Sequence, residues 1–158
     1  MSSSEIEDIL QLINNRENKD VDFKLKLDLS RDRLRNRLAE DVVSFANAEG
    51  GTIIVGVEDE TRHIIGILTP LDHDQIVQSI TDLTEPPVDL SVDTIEINGM
   101  LVGLIKIPRG KAVHCHRTER RVLIRRDGIK STATPAEIAQ LSEERDYSSR
   151  VYLFEPDT

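Results

Sequence analysis

An α+β domain, with a mixed and largely antiparallel β-sheet and helices packed on it, is what this sequence predicts, and three observations carry that expectation. "NG" at Asn98-Gly99 separates two apolar-rich runs, Leu90 to Ile97 and Met100 to Ile107, the two-residue signal of an antiparallel hairpin. Thr52 to Val57 lacks polar alternation, which marks a central strand covered on both faces. Elsewhere apolar residues recur every three or four positions, the period of helices that lay one face on a core.

Taken in order, Ser4 is placed to cap a first helix, with Glu7 completing a capping-box pattern and Ile6, Ile9, Leu10 and Ile13 as its stripe, ending near Asn14-Asn15. "VDFKLKLDL", Val21 to Leu29, alternates apolar with charged residues and predicts a strand with one wet face. Ser30 is expected to cap a second helix through Leu34, Leu38, Val42 and Phe45, which Gly50 or Gly51 ends because a left-handed cap costs glycine little. After the central strand, "HIIGIL" from His63 could return as a hairpin, and Asp72 to about Leu83 predicts a third helix, closed by Glu85-Pro86-Pro87. "RRVLIRR" reads as a short strand, and Thr134-Pro135 opens a closing helix. A single domain over residues 1–146 is expected, with 147–158 a loose tail or exchange arm bearing the apolar patch Val151 to Phe154.

The 158 residues suffice for a real core, and with aromatics at 3% and no tryptophan that core must be aliphatic. The same scarcity leaves no aromatic stacking platform for single strands. Cys115 is the sole cysteine, so an internal disulfide is impossible and a thiolate zinc cage within one chain is not expected. No stretch near Met1 resembles a signal peptide and no apolar run approaches a membrane span, which gives the expectation of a cytoplasmic protein without membrane contact.

A net charge of −9 opposes indiscriminate nucleic-acid binding, yet the charge is segregated. Lys106 to Lys130 holds nine Lys/Arg against Glu119 and Asp127, a local +7 that leaves −16 on the other residues. From Glu40 to Ile105 there are thirteen Asp/Glu against Arg62 alone. Such a pattern suits a basic groove beside an acidic site, and equally a solvated charged surface.

"VDFK", "VVSFANAEGGTIIVGVED", "HIIGI" and "IRRDGIKSTATPAEIAQL" resemble the successive blocks of the Schlafen AlbA-like domain family, over roughly Glu17 to Leu141. The resemblance implies an α+β sandwich of mixed sheet and helices. From the family's nuclease members it further implies a metal-dependent RNA-cleaving trio, carried here by Glu17, Asp22 and Asp59, with Asp22 shorter than the family's glutamate and Glu58 in place of the preceding aspartate. Mg²⁺ or Mn²⁺ would relieve the repulsion among such carboxylates and activate water. On this reading Lys24 steadies a phosphate, Arg117, Arg120, Arg121, Arg125, Arg126 and Lys130 track an RNA backbone, DNA being the alternative, and the module forms a homodimer. The runner-up is a binding, regulatory or oligomerisation module without hydrolase activity. Each residue also has a plainer reading: Asp22 and Lys24 on a wet strand face can pair with each other, and Glu58-Asp59 can simply form a turn.

Nucleotide hydrolysis has little support, because Gly50-Gly51 follow a helix and precede a strand, the reverse of a phosphate loop, and no Walker pattern is present. His114 and His116 flanking Cys115 supply two imidazoles on one strand side without further ligands.

Overall fold

The computed structural model describes residues 3–153, with side chains as far as Arg145. Two apolar clusters, one on each side of a single four-stranded sheet, explain its architecture. The element order is α1 (Ser3–Asn14), β1 (Val21–Lys24), α2 (Asp32–Ala46), β2 (Gly51–Val55), α3 (His73–Leu83), β3 (Thr84–Glu85), β4 (Ser91–Ile97), β5 (Met100–Ile107), β6 (Cys115–His116), β7 (Leu123–Arg126), β8 (Ile129–Thr132) and α4 (Pro135–Leu153). The main sheet runs β1-β2-β5-β4, with β1 parallel to β2 and the other pairings antiparallel. β3-β6 and β7-β8 form two small antiparallel pairs. The α+β class is therefore the observed one. No helix of the described residues is long and apolar enough to cross a membrane.

The run read as a central strand is central. Ile53 and Val55 of β2 join Leu38, Val42 and Phe45 of α2 and Ile76 and Ile80 of α3 on one face, while Ile54 joins Ile9 and Ile13 of α1 with Phe23 on the other. Burial of both faces removes the polar alternation that a half-wet strand keeps. Two glycines set its start. Gly50 stands at φ +83° and ends the α2 turn with its N–H on Phe45 O at 2.9 Å. A Cβ on Gly51 would fall 2.3 Å from the Phe45 ring, so only glycine lets the strand begin directly under the helix it has just left.

The β4-β5 hairpin turns at Asn98 (φ +51°) and Gly99 (φ +81°), the doubly left-handed turn that Asn-Gly favours. Asp72 caps α3 through the Gln75 N–H at 3.1 Å. Thr134 caps α4, its Oγ1 accepting from the Glu137 N–H at 3.2 Å while Glu137 Oε1 accepts from the Thr134 N–H at 2.9 Å. Arg145, almost wholly buried, donates from Nη2 to Ala46 O (3.3 Å) at the end of α2 and from Nε to Gly110 O (3.1 Å), placing a cation where the helix dipole is negative.

Four expectations need correction. Ser4 lies inside α1 rather than at its cap, since the helix already includes Ser3. The strand expected over Val21 to Leu29 ends at Lys24. Its partner bends away: at Gly56, with φ +104°, the N–H groups of Gly56 (2.7 Å) and Val57 (3.4 Å) both converge on Lys24 O, leaving Leu25 no ladder to join. Ser30 does not cap α2; Arg31 holds that position without a side-chain bond, and Ser30 instead donates from N and Oγ to Asp28. "HIIGIL" makes only isolated bridges, Ile64 to Val57 and Ile67 to Leu101, because the N–H groups of Ile65 and Gly66 both converge on Gly56 O at 2.8 Å and turn the segment from β2 toward β5. The closing helix α4 runs from Pro135 to Leu153; Phe154 and the side chains of the apolar patch lie outside the described residues.

Candidate nucleic-acid interface

Strand alternation decides where the first candidate residues go. Val21 and Phe23 face α1, so Asp22 and Lys24 face α2. There Lys24 Nζ lies 3.2 Å from Asp22 Oδ2 and 2.9 Å from Asp41 Oδ2, and Lys130 Nζ of β8 lies 3.0 Å from Asp41 Oδ1 and 2.9 Å from Glu40 Oε1. Arg121 continues the row, with Nη1 3.3 Å from Glu40 and 3.1 Å from Glu119. A seam of alternating charges thus joins the β1 edge, α2 and the β7-β8 pair. Burial works against the charge of Lys24, but Asp41 and Asp22 outweigh it and hold the ammonium above its ordinary range. Lys130 is raised in the same way, burial being overcome by Asp41 and Glu40. For Glu40, too, burial pushes upward, and the bond from Lys130 with the charges of Lys130 and Arg121 brings it below the usual carboxylate range.

The carboxylates implied as a metal trio are not brought together. Glu17 is exposed in the loop before β1, its N–H on Asn15 Oδ1 at 3.1 Å. Asp22 is neutralised by Lys24. Asp59 is exposed in the turn after β2, where its carbonyl accepts from Arg62 Nε at 2.7 Å. Arg62 in turn stacks 4.1 Å from the Phe23 ring and donates to Ile13 O at 2.9 Å, which ties that turn to the α1 side of the sheet, opposite Asp22. Among the described residues no three His, Cys, Asp or Glu side chains are grouped to hold a metal ion. Glu58 is a turn former: its carboxylate accepts from the Thr61 N–H at 2.6 Å, and that bond lowers its pKa.

The histidines have structural work. His114 donates from Nδ1 to Pro86 O (2.6 Å), and burial pushes its pKa down. Fully buried His116 accepts at Nδ1 from the Glu119 N–H (3.1 Å). Asn47, also buried, clamps the polypeptide on either side: its amide donates to His114 O (2.8 Å) and Leu123 O (2.9 Å) and accepts from His114 N (2.8 Å). The asparagine of "FAN" therefore docks β6 and β7 onto α2.

The six basic residues all arise from one structural unit, β6, its turn and β7-β8, laid across α2. They divide in two. Arg121 and Lys130 are held in the seam, and Arg125 stacks 4.0 Å from the Phe45 ring and donates to Gly128 O at 3.1 Å. Arg117, Arg120 and Arg126 are exposed. Arg117 pairs with half-exposed Glu85 at 2.6 Å, Arg126 with Glu137, and Arg120 has no ion pair among the described residues. Glu40 and Asp41 escaped the sequence reading; their signal is two adjacent acids on α2 one step off the apolar stripe of Leu38 and Val42.

A covered α+β sheet carrying a cationic β-unit fastened to two acids of its second helix is the class of domain that these features define. The chain belongs to the Schlafen, AlbA_2 family, whose model matches residues 17–134. Among solved structures it is similar to the DIP2311 protein from Corynebacterium diphtheriae, with 26% identity and a TM-score of 0.65 over 87% of this chain. It spans 30% of that protein's length. A more distant likeness, at 15% identity and TM-score 0.43, covers 69% of this chain and 74% of the N-terminal domain of a RecG-related protein from Nitrosomonas europaea.

Proposed function

We propose that this domain binds nucleic acid, RNA in the first instance, by seating backbone phosphates on Arg117, Arg120 and Arg126. The observation that carries the reading is the division of the basic unit. Three of its cations are consumed in holding it to α2 and Phe45, while three present guanidinium groups to solvent with only exposed ion pairs to displace. An exposed pair contributes about 0–1 kcal/mol, so a phosphate can replace Glu85 or Glu137 at small cost. Arg117 follows β6, Arg120 stands in the turn before β7 and Arg126 ends β7, so the nine residue steps from first to last span no more than about 30 Å of extended chain, within reach of successive phosphates of one strand. Base identity has no reader in this arrangement, so phosphate contacts dominate and sequence selectivity is low.

This reading assigns no cleavage step to Glu17, Asp22 and Asp59, because among the described residues no three His, Cys, Asp or Glu side chains are grouped to hold a metal ion. The test is fluorescence anisotropy with a single-stranded RNA and the matching DNA over a salt series, for the wild type and the triple Arg117→Gln, Arg120→Gln, Arg126→Gln variant. The variant is expected to bind at least ~10-fold more weakly and to lose about two from the slope of log K against log salt, three contacts at about 0.7 each. Undiminished binding by the triple variant refutes this interface. Parallel incubation with Mn²⁺ reads cleavage separately.

A further inference from the structure

The far end of the sheet carries a feature that the nucleic-acid reading does not use. Of the five large apolar side chains that stand exposed among the described residues, Leu25, Ile65, Leu68 and Met100 gather where β1 and β2 end and β5 begins. Leu68 is 100% exposed, with no monomer contact that would explain a leucine there. It stands on the lip of a groove of about 410 Å³ lined by Leu25, Leu27, Leu29, Ile67, Leu71 and Ile76. One wall is the segment after β1, and the other runs from Gly66 into the first turn of α3. Gly66 links this lip to Met100, whose Cβ lies 3.2 Å from where a Gly66 Cβ would stand.

We propose that a second copy of this chain covers this end, in a two-fold contact that inserts Leu68 of each copy into the groove of the other. A protruding leucine beside an apolar hollow of the same molecule is self-complementary, which is what an isologous interface requires: the same patch must serve as knob and as hole. The charges agree. Exposed Lys26 is on one wall, and the acidic first turn of α3, Asp72 and Asp74, continues the other. A two-fold rotation sets each Lys26 toward the partner's α3 rather than toward another lysine. Burial of Leu68 with Leu25, Ile65 and Met100 also removes a contiguous apolar patch from water.

Sedimentation velocity of the whole chain from ~1 to ~100 µM tests this, a range in which association of μM affinity is visible. The wild type is expected to form a reversible dimer. Leu68→Asp and the milder Leu68→Ser should each raise the dissociation constant at least ~10-fold, as for a buried apolar anchor, with circular dichroism and melting temperature unchanged. Lys26→Glu should weaken association, and adding Asp74→Lys should restore it. A wild type that stays monomeric across the range overturns the proposal, as does a dimer that Leu68→Asp leaves intact.

Discussion

Two hairpins in this molecule turn on the same chemistry and end in different places. β4-β5 reverses at Asn98-Gly99, and β7-β8 at Asp127-Gly128, with both residues of each turn at positive φ. The first enters the main sheet, because Ile95, Val102 and Leu104 supply one buried face and Val92, Ile105 and Ile107 the other. The second has Leu123 and Ile124 buried but then Arg125, Arg126, exposed Ile129 and Lys130, too little apolar surface to join a sheet. It is instead fastened to α2 by Lys130, Arg121, the Arg125-Phe45 stack and Asn47. Turn residues determine that a hairpin forms, and the burial of its faces determines what it joins.

Substitutions should expose that contrast, most strongly in the core hairpin. Ile105→Ala, at a fully buried position of β5, should destabilise the whole domain by about 2–5 kcal/mol in urea unfolding, whereas Ile129→Ala on β8 should stay within about 0.5 kcal/mol. An Ile129 effect as large as that of Ile105 would show that the second hairpin also rests on apolar packing.

Asp41→Asn comes next. It keeps the shape of the side chain but leaves Lys24 and Lys130 without the carboxylate they share, and should cost about 1–3 kcal/mol. Hydrogen exchange is expected to speed up in β7-β8 before β4-β5. Equal loss of protection in both hairpins would mean that the seam does not hold the second one in particular.

A smaller effect should appear on acidification. The folded-state pKa of His114 is lowered from its ordinary 6.5, first by burial and then by the Arg145 charge, against the bond to Pro86. A group whose pKa falls on folding binds more protons when unfolded, so its contribution is fully present above about pH 7 and is lost as pH falls through 6.5 toward the folded value. Between pH 7.5 and 5.5 the wild type should lose stability that His114→Gln does not lose. Parallel slopes for the two proteins would remove His114 from the account.

Smallest of all for the fold is Arg120→Gln. This exposed side chain holds nothing in place, so the melting temperature should not move, while the salt slope of RNA binding should fall by about 0.7. A lowered melting temperature would move Arg120 from the proposed interface into the fastening of the hairpin.

Local order determined much of what was legible in the sequence. The doubly covered strand Thr52 to Val57, the Asn98-Gly99 turn, the Asp72 and Thr134 caps and the stop at Gly50 are each set by neighbouring residues, through period, turn preference or side-chain reach. The Schlafen AlbA-like blocks are likewise a linear pattern. The premature end of β1 at Lys24 is different, because it depends on a partner strand that bends at Gly56, some thirty residues away. The fate of the carboxylates is different for the same reason. Asp22 lies on β1 and Asp59 follows its parallel neighbour β2, but which side of the sheet each serves depends on Asp41, Lys130 and Arg62 arriving from α2, β8 and the turn after β2. Charge pairing acts over a few ångströms between residues as much as ninety positions apart. Only the folded arrangement of sheet, helix and hairpin could decide which of this chain's many charges were already spent and which remained to meet a partner.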